Sequence, residues 1–440
     1  MNDAKPAPGP IRDLYDLLTG DEDARVCRDI PDASCREQPR NFLVHVAALT
    51  ATKCGDWLAS PKLVLAWLLT LLGAPAFMLG LLVPVRESLS LVPQLFVASA
   101  IRRVAVRKWF WVAGSIVQGL AVGAMALLAG RLEGAAAGWG ILLLLVVFSL
   151  ARGVCSVASK DVLGKTIAKT RRGIVNGYAA SAAGAVVVAV GIGGFLPGRD
   201  DAGLAFFLAM LGAAALLWLI AALIYSQLAE YAGATAGGGN AIREAIAQLR
   251  LIASDRKLRN FVTVRALLLS TALVAPFYVG LANTRSSGAL PGLGALMIAA
   301  GLAGFLSAPL WGRLADRSSR TVMARAALLA ALTGGLTFIV AASGNVMVER
   351  YWYPGAYFLL CIAHAGIRLG RKTHLVDMAS AETRASYVAV SNTIIGVLLL
   401  AGGALSSAVA LFGAPAAILV LSFVALTGAI GAWRLDEAQA

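Results

Sequence analysis

The chain has 440 residues, 59% of them hydrophobic and 14% charged, with a mean hydropathy of +0.76. Soluble domains are nearer 45 to 50% apolar and about 25% charged, so this composition excludes a soluble globular protein and predicts an integral membrane protein. The formal net charge of +14 does not signal nucleic acid: a phosphate-binding stripe needs a solvated basic surface with interleaved aromatics, and here the bases fall in turns between apolar runs.

Residues 1–41 hold nine acids against six bases and no apolar h-region. This tail is therefore not a cleavable signal peptide; it is expected to be a solvated arm that stays in the cytoplasm. The five cysteines, Cys27, Cys35, Cys54, Cys155 and Cys361, form an odd set with three members inside apolar runs, which argues against a disulfide framework and for reduced thiols. No His lies in the tail to complete a metal site with Cys27 and Cys35. No metal and no cofactor is expected.

A membrane-spanning helix needs about 20 mostly apolar residues. Twelve such runs follow, at 42–70, 75–99, 109–130, 138–162, 174–196, 203–226, 260–283, 290–311, 321–342, 355–376, 386–410 and 414–434. The even count puts both termini on one side. The turns after runs 2, 4, 8 and 10 carry Arg102, Arg103, Arg107, Lys108, Lys165, Lys169, Arg171, Arg172, Arg313, Arg317, Arg320, Arg371, Lys372 and Arg384, whereas the opposite turns hold only Arg131, Arg199, Arg285 and Arg350. By the positive-inside rule the basic side, with both termini, is cytoplasmic, and the chain is expected in a cytoplasmic (inner) membrane among its lipids.

Between runs 6 and 7, GATAGGGN (233–240) reads as a flexible linker. Ile242, Ile246, Leu249 and Ile252 then recur at helical spacing behind Asn240 as N-cap, predicting an amphipathic brace along the cytoplasmic face. The expected organisation is a tail (1–41), a six-helix bundle (42–227), a central loop (228–259), a second six-helix bundle (260–434) and a short C-terminus (435–440).

The two halves repeat. At an offset of 212 residues Lys53 falls on Arg265, Lys160 on Lys372, Arg172 on Arg384, Arg152 on His364 and Ser156 on Arg368. Two parallel repeats about an axis along the membrane normal suit a two-bundle transporter.

WGRLADRSSRTVM (311–323), between runs 8 and 9, resembles the G-x-L-A-D-R loop signature of the major facilitator superfamily, with Gly312, Asp316, Arg317 and Arg320 as its members here. The corresponding first-half turn, ASAIRRVAVRKW (98–109), sets Ala100 on Gly312 and Val104 on Asp316: it keeps the positive charge and loses the acid. The resemblance covers about residues 41–434 and implies an all-α membrane fold of twelve transmembrane helices in two pseudo-symmetric six-helix bundles. It further implies a central cavity lined by helices 1, 4, 7 and 10 and a loop signature acting as a conformational latch. Physically, Gly312 is expected to let the turn approach a neighbouring helix, and Asp316 to pair with an Arg of an adjacent helix terminus.

Charges at or near bilayer depth are costly and normally face protein or water. They are Lys53 and Asp56 on run 1, Arg86 and Glu87 on run 2, Arg152, Lys160 and Asp161 on run 4, Arg265 on run 7, and Arg368, Arg371 and Lys372 on run 10. Apart from run 2, these are the cavity helices of the family. Ser149, Arg152, Ser156 and Lys160 share one helical face, as do His364, Arg368 and Lys372. Lys53 and Asp56 also share a face, where they are expected to pair.

The substrate-site candidates are therefore Lys53, Asp56, Arg152, Ser156, Arg265, His364 and Arg368. Their cationic excess suits an anionic or zwitterionic organic solute. Proton coupling needs a group that titrates within the cycle, and Glu87, with Arg86, and Asp161 are the candidates for coupling or gating. In VPVRESLSLVPQL (83–95), Arg86 and Glu87 point about 100° apart on a helix, so one is expected to face the cavity and the other a helix contact with the opposite half.

SKDVLGKT (159–166) ends like a phosphate-binding loop but lacks the first Gly and closes a membrane helix. With no HExxH motif and no GxSxG elbow, an enzyme is not expected. The reading is a secondary transporter of a small organic solute, proton-coupled and working by alternating access. The competing reading is a protein of the same fold that assembles a membrane complex, moves lipid or senses a ligand. A water-wide space lined by Arg152, Arg368 and Lys53 separates the first from the second, which expects a filled core.

Overall fold

The computed structural model describes residues 10–19, 30, 32–92, 94, 97, 100–101, 103–168, 171–193, 203–233, 235, 252–285, 290–315, 317–379 and 384–438. Among the described residues there is no strand, as lipid demands: a spanning helix satisfies its own backbone groups where water cannot. Two short helices, α1 (Pro10–Thr19) and α2 (Asp32–Arg36), precede the spans. The first span is interrupted, α3 (Gln38–Leu58) then α4 (Val64–Leu71). The next five are α5 (Phe77–Leu91), α6 (Lys108–Ala129), α7 (Gly134–Thr166), α8 (Arg172–Gly193) and α9 (Gly203–Ser226).

The seventh span comes in three pieces, α10 (Arg256–Leu267), α11 (Ser270–Leu273) and α12 (Ala275–Arg285). Then come α13 (Leu290–Ala315), α14 (Ser319–Ser343), α15 (Val346–Asp377), α16 (Arg384–Val409) and α17 (Ala414–Trp433). Together they account for the twelve runs. Eight of these spans, the seventh taken as one, are each long and apolar enough to cross a membrane.

Local chemistry sets the ends. Asp255, Ser318 and Asn345 cap α10, α14 and α15 by accepting the backbone N–H three residues on. Gly344, at φ +65°, stops α14 in the left-handed conformation that favours glycine. Several helices outrun their apolar runs; α7, at 33 residues, is about 50 Å long against a hydrocarbon core of about 30 Å.

The interruptions lie close across the repeat: the break at 59–63 projects, 212 residues on, to 271–275, beside the seventh span's breaks at 268–269 and 274. Each has a proline at hand, Pro61 in the first and Pro276 at the second position of α12, where a missing N–H and a ring clash oppose continuous helix.

Packing repeats as well. The third span packs on the sixth as the ninth does on the twelfth, and the second on the fourth as the eighth does on the tenth. Between halves the second span meets the eleventh and the fifth meets the eighth. The α5–α16 contact is close: a Cβ on Gly403 would lie 2.1 Å from Cγ of Pro84, so the proline ring fills the notch the glycine leaves. Ser88 Oγ also donates to the Gly396 carbonyl at 2.5 Å. Gly119, of the pair Gly119 and Gly123, lies against the Ala215 carbonyl and so serves packing within the chain.

Three expectations are corrected. The tail is not wholly a solvated arm: Tyr15 of α1 is buried edge-on against Phe42, and its hydroxyl accepts from Gln38 Nε2 at 2.8 Å. An aromatic on the inner face of an amphipathic turn was enough to dock it. Cys35 is disulfide-bonded, while Cys54, Cys155 and Cys361 are free, so the thiols are not all reduced. Gly312 allows no close approach, since a Cβ there would meet nothing within 4 Å; the tight glycines beside this turn are Gly366, against Trp311, and Gly370, against Met323 and the Ser319 carbonyl. Asp316, Cys27 and the expected amphipathic brace over 240–251 lie outside the described residues.

Candidate functional site

The first-half charges converge on Asp56 of α3. Its Oδ1 accepts from Arg86 of α5 at 2.9 Å and its Oδ2 pairs with the Arg152 guanidinium of α7 at 2.5 Å, so one carboxylate ties three spans together by a charge-assisted hydrogen bond and an ion pair. The Arg86 guanidinium also lies 4.8 Å over the Phe148 ring, a cation–π contact. Lys53, one turn from Asp56, makes no ion pair with it. Two planar guanidiniums occupy both oxygens, and Lys53 is left between Asp56, Arg152 and Arg368 of the other half. Ser156, one turn beyond Arg152 on α7, is half-buried.

The charges acting on Glu87 are, in order, Lys62, in the interruption between α3 and α4, Arg86, Arg371 on α15, and Arg152. Glu87 thus lies among cations of both halves, while Arg86 takes the Asp56 carboxylate.

In the second half the deep cations have no acid in ion-pair range among the described residues. Arg265 is buried and donates to Ser391 Oγ at 2.6 Å and Asn392 Oδ1 at 2.9 Å, both neutral groups of α16. Arg368 and Lys372 are exposed, and among the described residues neither has an acid within ion-pair distance. His364, one turn before Arg368, joins the halves: its Nε2 lies 3.3 Å from Lys62 Nζ and its Nδ1 3.3 Å from Thr271 Oγ1, on the short helical piece α11 of the seventh span. The break of the first span and the middle piece of the broken seventh span therefore meet at one imidazole.

Asp161 does not join this cluster. It pairs with Arg107 at 2.5 Å and Lys165 at 3.2 Å on the basic face. Beside it Glu230, after the sixth span and with its side chain fully buried, accepts the backbone N–H groups of Arg107 and Lys108 at the start of α6 and the Lys165 ammonium at 2.9 Å. A carboxylate on a helix N-terminus meets both unpaired donors and the positive dipole end.

The second half has a counterpart. Glu437, after the twelfth span, accepts from Ser318 Oγ at 2.8 Å and Arg320 Nε at 2.9 Å at the start of α14. Arg320 of the loop signature is thus ion-paired to the end of the chain's twelfth span, while Arg317 lies exposed in the turn. Lys108 and Arg320 stand 212 residues apart, in register.

The space around the site is asymmetric. On the face away from the basic turns, α4 is almost entirely buried and packs on α12. Toward the basic face Lys160, Arg368 and Lys372 are exposed, and Arg152 keeps 31% of its side chain exposed. The cations toward the basic face are thus partly exposed, whereas the other end is packed.

Of the substrate-site and coupling candidates, Lys53, Asp56, Arg86, Glu87, Arg152, His364 and Arg368 lie in one linked cluster, whereas Arg265 and Asp161 bond to groups outside it. Sequence reasoning missed Lys62 and Thr271, although a Pro within an apolar run marked the first break. It also missed Glu230, Glu437, Ser391 and Asn392, polar groups whose partners lie far along the chain.

No protein-family profile matches the sequence, and no curated protein is similar to it in sequence. Solved structures match over nearly the whole chain. The nucleoside transporter NupG, as a point mutant, aligns with a TM-score of 0.67 and 13% identity, over 90% of this chain and 99% of that one. A D-xylose–proton symporter gives 0.66 and 11%, over 90% and 98%. A POT family transporter in complex with 5-aminolevulinic acid gives 0.67 and 11%, over 92% and 98%. The chain thus carries the twelve-helix fold of major facilitator superfamily transporters.

Proposed function

We propose that the protein is a secondary active transporter that moves a small anionic or zwitterionic organic solute across a cytoplasmic membrane by alternating access, coupled to protons. The observation that carries this reading is a set of cations: Lys53, Arg152 and Arg368 act on one another from both halves in partly exposed positions, and Arg368 has no acid in ion-pair range among the described residues. Uncompensated cations at depth are costly unless water or an anion reaches them. The solved structures of the same fold are of proteins titled as nucleoside, xylose and peptide transporters, which supports transport without naming this chain's solute.

The basic face, both termini and the docked tail are assigned to the cytoplasm on the positive-inside rule. The bundles are 42–227 and 260–434, joined by the loop 228–259. The alternative reading, an assembly factor, lipid mover or sensor, expects a filled core, and the exposed Arg368 speaks against it.

Uptake of a pooled metabolite panel by proteoliposomes tests the proposal. Accumulation of an anionic or zwitterionic solute, driven by an inward proton gradient and lost in Glu87→Gln, is the expected result. No uptake across the panel, with no response to the gradient, sinks it; uptake still fully pH-driven in Glu87→Gln removes Glu87 from coupling.

A further inference from the structure

His364 is bonded on both ring nitrogens, and the direction of those bonds can be read. Thr271 Oγ1 donates to the Leu268 carbonyl at 2.9 Å, so its lone pairs face the imidazole. Nδ1 therefore carries the hydrogen and donates to Thr271, leaving the Nε2 lone pair to accept from the Lys62 ammonium. The chain of donors runs from the break in the first span, through the tenth span, to the short piece α11 of the broken seventh span. It starts in one half and ends in the other.

We propose that Lys62, His364 and Thr271 form a proton-binding site that ties the halves together at the packed end, with His364 Nε2 as the atom that takes the proton. This rests on the transport reading and names its coupling group. As the chain stands, one proton is shared between an amine and an imidazole. A second proton on Nε2 occupies the lone pair that Lys62 uses and sets two cations side by side at a contact now 3.3 Å long. The contact between the halves then becomes repulsive, and α4 loses its tie to α15 where it packs on α12.

The surroundings sharpen this effect. Glu87 of α5 is the acid that acts on Lys62; Arg368 and Arg371 of α15 act on both Lys62 and His364, and the Cys361 thiol of α15 acts on Lys62. The charges acting on His364 itself are all cationic, so an added proton there meets only like charge, with Glu87 acting through Lys62. Arg368, one turn along α15 and exposed, marks the water-accessible route by which a proton reaches the imidazole.

Two measurements on the full chain in lipid nanodiscs test this without a solute. The first places spin labels at the exposed Leu132 and Val346, in far-face turns of the two halves, by chemistry that spares the native thiols. On acidification from about pH 8 to about pH 5, a longer label-to-label distance is expected to gain about tenfold in population, as one linked proton allows. His364→Gln and Lys62→Gln are each expected to abolish the response. A distance indifferent to pH, or a response that survives in both variants, overturns the proposal.

The second is 15N NMR of the three histidines, with His364 assigned by its variant. Near neutral pH the Nδ1–H tautomer is expected, and an Nε2–H tautomer overturns the donor chain. Neither readout depends on uptake: absence of transport with a pH-driven opening defeats the transport reading alone, and transport with a pH-indifferent distance defeats this site alone.

Discussion

The two halves repeat in backbone and differ in charge. In the first, Asp56 is divided between Arg86 and Arg152, and Asp161 pairs with Arg107 and Lys165. In the second, Arg265 bonds to a hydroxyl and an amide, and Arg368 is exposed. A partly buried carboxylate between two guanidiniums ties three helices and offsets one of their two charges. Cations on neutral partners keep their field. The same helical frame thus carries partly compensated cations in one half and, in the other, deep cations with no acid in ion-pair range among the described residues.

The largest expected effect comes from breaking the compensated side. Asp56→Asn leaves two guanidiniums facing each other without their acid and is expected to cost about 3–5 kcal/mol, read as a lowered thermal transition of the purified protein. Recovery of part of that loss in Asp56→Asn/Arg152→Met locates the cost in the stranded charge. In the other half, Arg368→Gln is expected to weaken solute binding or uptake by about tenfold or more, the worth of one charge-assisted hydrogen bond, with the melt unchanged because Arg368 has no ion-pair partner among the described residues to lose. A melt that falls as far as in Asp56→Asn would erase the distinction between the halves.

The basic-face carboxylates allow a finer comparison. Glu230→Gln removes a fully buried charge that serves two backbone donors and an ammonium, and about 1–3 kcal/mol of stability is expected to go. Glu437→Gln, with 27% of its side chain exposed, is expected to cost about 0–1 kcal/mol. Equal melting shifts in the two variants would show that burial does not separate the clamps.

Most of the fold was legible in the sequence because a spanning helix must be apolar over its length whatever its neighbours. The 212-residue register was legible too, through Lys53 and Arg265 or Arg152 and His364. The pairings within the site were not. Lys53 lies closer along the chain to Asp56 than Arg86 does, yet Arg86 and Arg152 take the carboxylate because helix packing brings their planar forks to it. The loop signature drew attention to Gly312, while the functioning glycines in that region, Gly366 and Gly370, sit on the helix opposite, where the cause is a tryptophan and a methionine from elsewhere in the chain. Lys62 was legible in principle: Pro61 ends the helix before it and places the lysine at a backbone break rather than along a stripe.

The clamp at Glu230 also bears on synthesis. The start of α6 leaves the ribosome about 120 residues before the carboxylate that caps it, and α14 waits in the same way for Glu437. Each half can therefore set its basic face only after its own sixth helix has been made. The acid at the end of each half marks its completion, and the first half can be sealed as a unit while the second is still being translated.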